Sequence, residues 1–114
     1  MATYVDGIKE LQNNNIDKGI EILDEVSKKG DYHASYQLAQ MYNQGLMVKK
    51  DVNLASEYFD VAFRQLNEAE TTNETNYYLG LFYSFGLGTV SKDEVKAFEL
   101  FEKGANNNDI NAII

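Results

Sequence analysis

Residues 75–86, TNYYLGLFYSFG, restate residues 34–45, ASYQLAQMYNQG. Leu79 falls on Leu38, Gly80 on Ala39, Tyr83 on Tyr42 and Gly86 on Gly45, all at an offset of 41. A second pair follows each. DEVKAFELFEKGA (93–105) falls on DVNLASEYFDVAF (51–63) at an offset of 42, matching Asp93 to Asp51, Ala97 to Ala55 and Phe101 to Phe59. The change of offset marks one inserted residue near Thr89. A fainter third copy, KGIEILDEVS (18–27), lines up with KAFELFEKGA (96–105) at an offset of 78. At the far end NDINAII resembles GDYHASY beginning again, with Ala112 on Ala34.

The repeated blocks carry the period of a helix. Ala34, Leu38 and Tyr42 recur every four residues, as do Leu54, Tyr58, Ala62 and Leu66, which is the apolar stripe of an amphipathic helix. Thr71 with Glu74, and Ser91 with Glu94, have capping-box spacing. Gly30, Gly45 and Gly86 stand just past stripes, where helices end in a left-handed residue. The Asn runs at 13–15 and 106–108 suit turns, because Asn tolerates that conformation. The chain has no proline against an average usage of about 5 %. These features predict six helices at roughly 3–12, 16–28, 31–44, 51–68, 72–85 and 92–105, with a seventh beginning near 109. Paired helices bury their apolar faces by stacking on neighbouring pairs.

The glycines of Tyr77–Gly88 invite two other readings, and both fail. A phosphate-binding loop needs Lys-Ser or Lys-Thr after its last glycine; Leu87 and Gly88 stand there instead. A membrane span needs about 20 apolar residues, and this run is shorter and holds Ser84. Small Gly80 instead lets a neighbouring helix approach, Gly86 ends the helix, and Gly88 belongs to the turn.

The two full copies resemble Sel-1-like repeats, relatives of the tetratricopeptide repeat. The residues that carry the likeness are Ala34, Leu38-Ala39, Tyr42, Gly45, Val48, Asp51, Ala55, Tyr58 and Ala62. In the second copy they are Leu79-Gly80, Tyr83, Gly86-Leu87-Gly88, Val90, Asp93, Ala97 and Leu100. Met47 stands where the second copy has Gly88. The resemblance implies an all-α fold, an α/α solenoid of about three helix–turn–helix hairpins winding as a right-handed superhelix. It divides a single repeat domain, 1–114, into a degenerate capping hairpin (1–29), repeat one (30–70), repeat two (71–107) and the start of a further helix (108–114). It implies protein binding and no catalysis.

Composition narrows the chemistry. The chain has 114 residues, 44 % of them hydrophobic and 25 % charged, which is one globular domain's worth. With no cysteine, disulfides, thiolate nucleophiles and Cys-based zinc sites are excluded. A net charge of −8 repels phosphate backbones and anionic lipid, so neither nucleic acid nor membrane is an expected partner. It favours a basic protein partner. The first ten residues lack the basic and apolar segments of a signal peptide, which leaves a cytoplasmic location as the expectation.

No catalytic or metal set is expected, and no cofactor. His33 is the only histidine and reads as an exposed first-turn residue. Asn13–Asp24 imitates a calcium loop but puts Lys18 where the sharp turn requires glycine. Acidic neighbours such as Glu99 and Glu102 read as a solvated face. Asn73-Glu74-Thr75 fits the glycosylation pattern without a secretory signal to use it.

In tetratricopeptide-like stacks the first helix of each pair lines a concave groove. The resemblance therefore places Tyr36, Gln37, Gln40 and Gln44, then Tyr77, Tyr78, Leu81 and Phe85, along a protein-binding groove. One end of it is polar and the other aromatic, and aromatics are the usual anchors of interfaces. The expected core stripe of the later helix is Thr75, Leu79, Phe82 and Tyr83. Within the binding class, a small acidic chain suits an immunity or inhibitor protein that neutralises a basic toxin. The alternatives are an adaptor or scaffold subunit of a larger complex, or a homodimer formed through the C-terminal end at Ala112-Ile113-Ile114.

Overall fold

A computed structural model describes residues 1–106. Its elements are α1 (Tyr4–Gln12), α2 (Ile16–Lys28), α3 (Tyr32–Gln44), α4 (Val52–Glu68), α5 (Asn73–Phe85) and α6 (Glu94–Asn106). There is no strand among the described residues. The all-α hairpin repeat expected from the sequence is what forms, with each helix starting or ending within two residues of its expected place. The helix expected near 109, and the apolar tail with it, lie outside the described residues. The chain divides into two compact units, Met1–Ala62 and Phe63–Ile114, the division falling inside α4.

In the first unit α1 and α2 interlock through two glycines. A Cβ on Gly7 would lie 2.7 Å from Leu23 Cδ2, and one on Gly19 would lie 2.6 Å from Leu11 Cδ2. Each helix thus offers a gap to a leucine of the other. Their connection is tight because Asn14 adopts φ 65°, as the Asn run predicts. Thr3 starts α1 with a capping box, its backbone N–H donating to Asp6 Oδ2 at 2.8 Å. The core gathers Leu11, Leu23, Val26, Ala34, Leu38 and Met41. Polar groups inside it are matched: the Ser27 and Ser35 hydroxyls meet at 2.6 Å. Tyr42 and Tyr58 stack with centroids 6.1 Å apart. Tyr58 Oη donates to Asp24 Oδ1 at 2.9 Å, and Lys28 Nζ lies 2.9 Å from Asp24 Oδ2. Lys28 first, and then the Tyr58 hydroxyl, hold the Asp24 carboxyl below its ordinary range against the opposing effect of burial. Burial, and after it the hydrogen bond to Asp24, raise the Tyr58 phenol well above its ordinary value.

Both full repeats make the same turn. Gly45 and Gly86 are left-handed at φ 69° and 63°. The next amides, Leu46 and Leu87, donate back to Met41 and Phe82 carbonyls at 2.9 and 3.1 Å, closing the helix ends. Next comes a second left-handed residue, Met47 at φ 63° in one copy and Gly88 at φ 61° in the other. Met47 therefore preserves the turn geometry where a glycine would relieve it. The repeat aspartate closes the loop. Asp51 N–H donates to Tyr42 O at 2.9 Å and Asp93 N–H to Tyr83 O at 2.8 Å. Their carboxylates accept from Leu54 N and Lys96 N, each at 3.0 Å, and so cap α4 and α6. The insertion near Thr89 is absorbed before this anchor.

Two expected caps are corrected. Helix α5 is capped by Thr72, whose Oγ1 accepts from Thr75 N at 3.1 Å while Thr75 Oγ1 accepts from Thr72 N at 2.9 Å. A Thr pair thus replaces Thr71 with Glu74. Asp93 does the work expected of Ser91, because its backbone is already tied to Tyr83. In this second unit Phe82 is fully buried against Phe63, 5.4 Å between centroids, and Phe63 also meets Tyr83 edge-on at 5.8 Å. A Cβ at Gly80 would lie 2.5 Å from Phe101 Cε1, so that glycine does admit its neighbour. The expected core stripe is half right. Thr75 and Phe82 are buried, but Leu79 and Tyr83 are only half-buried, and Asn76 joins the buried set.

Candidate protein-binding faces

The two sets of residues expected to bind a partner lie on α3 and α5, and each has its own character. On α3, residues 36, 40 and 44 succeed one another every four positions and form a hydrogen-bonded ladder. Gln44 Nε2 donates to Gln40 Oε1 at 3.2 Å, and Gln40 Nε2 donates to the Tyr36 hydroxyl at 3.1 Å. Tyr36 is half-buried and presents its ring edge-on to Phe59 at 5.7 Å. Its hydroxyl end and the two amides form a polar strip. Gln37 is half-buried beside them and Gln44 is exposed.

On α5 the four residues part company. Tyr77 meets Phe101 of α6 at 6.1 Å and Tyr78 at 5.6 Å, so it helps to hold the hairpin. Tyr78 and Leu81 are half-buried. Phe85 is 69 % exposed at the end of the helix. At the corresponding places the first copy carries Gln37, Gln40 and Gln44. The apolar character of this face is therefore particular to the second copy, since the polar version folds into the same hairpin.

Sequence reasoning missed a third face. On α6, Val95 and Phe98 are 71 % and 64 % exposed. The signal was present in the repeat itself: the first copy has Asn53 and Ser56 at these positions.

His33, expected to be exposed, is half-buried, because its ring stacks on Tyr32 at 4.3 Å and tilts against Tyr4 at 5.6 Å. Its Nδ1 lies 3.3 Å from Asp31 Oδ1, the carboxylate that caps α3. No three of the described His, Asp and Glu side chains converge on a point that could hold a metal ion. Depressions at Glu10, Asn14 and Asp17, and at Lys92, Asp93 and Glu94, are open to solvent. Neither encloses a pair of carboxylates as acid–base chemistry requires. No described helix is long and apolar enough to cross a membrane.

Comparison with known proteins agrees with the hairpin geometry. The family model of the Sel1 repeat matches residues 33–65 and 74–109, more than half of the chain. No curated protein matches the sequence. Among solved structures, a Sel1 repeat protein from Oxalobacter formigenes is similar at 24 % identity and a TM-score of 0.60. The likeness, one of fold, covers 95 % of this chain and 42 % of that one, so this chain spans less than half of that protein's length.

Proposed function

This chain belongs to the Sel1 repeat family, and from that premise we propose that it is a non-catalytic protein-binding module whose partner is a basic protein. Sel1 repeats generally mediate protein–protein contacts. The observation that carries the reading here is the contrast between copies. Where α3 bears Gln37, Gln40 and Gln44, α5 bears Tyr78, Leu81 and a largely exposed Phe85. A hairpin that folds with glutamines gains nothing internally from an exposed phenylalanine, whereas an interface does. Tyr36, Gln37, Gln40 and Gln44 supply polar contacts on α3; Tyr78, Leu81 and Phe85 supply anchors on α5, with Tyr77 supporting them from behind.

The basic partner follows from the net charge of −8, which steers cationic proteins and speeds their association. In this reading the protein acts in the cytoplasm as an immunity or inhibitor protein, its carboxylates offsetting a toxin's cationic surface. A pull-down from native lysate tests it, using wild type beside a Tyr78→Ala, Leu81→Ala, Phe85→Ala variant of unchanged helicity. A partner captured by the wild type alone supports the α5 face. Equal capture by both removes it, and a captured partner without a basic surface removes the charge argument.

A further inference from the structure

The outer face of α6 combines exposed apolar side chains with carboxylates in a pattern that the repeat fold does not require. Val95 and Phe98 are one turn apart and 71 % and 64 % exposed. Exposed acids flank both. Glu94 and Glu102 lie four residues before and after Phe98, and Glu99 lies four after Val95. On a helix such spacings bring side chains together on the surface. Glu94 has Lys92 at 3.5 Å. Glu99 and Glu102 are exposed. The nearby Lys96 is drawn inward over the Tyr83 ring, 5.2 Å from its centroid. The face is thus an exposed apolar pair bordered by exposed carboxylates, of which Glu94 is paired with Lys92.

The first copy shows that the hairpin forms without this arrangement. At the positions of Val95 and Phe98 it has Asn53 and Ser56, while at those of Glu99 and Glu102 it keeps acids, Glu57 and Asp60. Acidity here is common to both copies; the exposed apolar pair is not. Exposing a valine and a phenylalanine together forfeits burial that each would gain elsewhere.

We propose that this face of α6 docks a basic amphipathic segment of the partner protein. Apolar side chains of that segment cover Val95 and Phe98, and its Lys or Arg residues meet Glu94, Glu99 and Glu102. The inference rests on the protein-binding reading above and adds a location and a chemistry to it. Charge complementarity selects this occupant. A nucleic acid or an anionic membrane would be repelled by the same carboxylates, and a second copy would oppose acid to acid.

The test uses the full chain and two labelled synthetic peptides, read by fluorescence anisotropy. One is a peptide of about 14 residues with leucine at a helical i, i+3, i+7 spacing and lysine elsewhere. The other has glutamate in place of lysine. The lysine peptide should bind the wild type, weaken with added salt, and lose about tenfold or more in affinity to a Val95→Asn, Phe98→Ser variant. Those are the residues of the first copy, so the variant keeps its helicity. A Glu99→Gln, Glu102→Gln variant should bind more weakly and lose much of the salt dependence. Equal binding of both peptides, equal binding by the Val95→Asn, Phe98→Ser variant, or no binding by the wild type overturns the proposal. So does a wild-type dimer that this variant dissolves in sedimentation, because the occupant is then a second copy. Loss of the peptide by the α5 triple variant alone overturns the α6 site while leaving the binding-module reading standing. Failure of that reading shows separately, in the pull-down.

Discussion

Replacing Met47 separates a backbone strain from everything else the turn does. Met47 sits at φ 63°, beside its counterpart Gly88 at φ 61°. A side chain in this region brings Cβ against the carbonyl oxygen and costs roughly 1 kcal/mol relative to glycine. Met47 is 60 % exposed, so truncation also removes some packing, which would blur a simple Met47→Gly measurement. The comparison of Met47→Ala with Met47→Gly cancels that loss, since both remove the chain beyond Cβ. Glycine should then be the more stable of the two by about 1 kcal/mol. At the usual unfolding entropy per residue, this is a Tm difference of about 4 °C for a chain of this length. Urea titration with a common m-value gives the free energy directly. The order is the reverse of that in a helix interior, where alanine is the better residue by about 1 kcal/mol. Gly88→Ala should lose about 1 kcal/mol by the same mechanism. If alanine at 47 equals or exceeds glycine, the strained left-handed turn is wrong and the shared turn geometry of the two copies falls with it.

Other outcomes follow from contacts already described. Gly80→Leu drives a side chain into the Phe101 ring, where even a Cβ would be 2.5 Å away; it should destabilise by about 2 kcal/mol or more in chemical denaturation, and little change would mean that the two helices are not so close. Asp93→Ala removes the carboxylate that accepts from Lys96 N at 3.0 Å. It should lose about 1 kcal/mol, whereas Ser91→Ala should lose almost nothing in the same urea titration. Asp24 has a carboxyl depressed by Lys28 and Tyr58. Its contribution is present above the ordinary carboxylate range and is lost as pH falls through the depressed value. Tyr58→Phe should therefore cost about 1 kcal/mol near neutrality, a figure kept modest because the pair is partly solvated, and the difference from wild type should shrink below about pH 4. A deficit independent of pH would place the effect in packing instead.

Much of this molecule was legible because its repeat is written in small residues. Gly80 marks a close approach, and Gly45 and Gly86 mark helix ends. These signals rest on local sterics and local hydrogen bonds, which the sequence states directly. The misread caps show the limit of spacing alone. Thr71 with Glu74 and Thr72 with Thr75 both have the offset of a capping box, and the backbone chose the latter. Which flank of a helix is covered was harder still. Tyr77 and Tyr78 are adjacent and equally aromatic, yet Tyr77 supports Phe101 of the opposing helix while the stripe through Tyr78 ends in an exposed Phe85. That depends on which neighbour fills each side, a fact of three dimensions. The half-burial of His33 came from two tyrosines, one of them on another helix, and Asn76 is buried outside the expected stripe.

The reciprocal gaps of the first hairpin act as a vernier. Leu23 fits only opposite Gly7, and Leu11 only opposite Gly19. Sliding either helix by one turn, about 5.4 Å, would unseat both leucines together. One alignment of the two helices is thereby selected by the fit of apolar side chains into small-residue gaps. The same fit binds four positions into one unit of inheritance. A larger residue at 7 is admissible only with a smaller one at 23, and the same holds for 19 and 11, so drift at these sites must proceed in pairs.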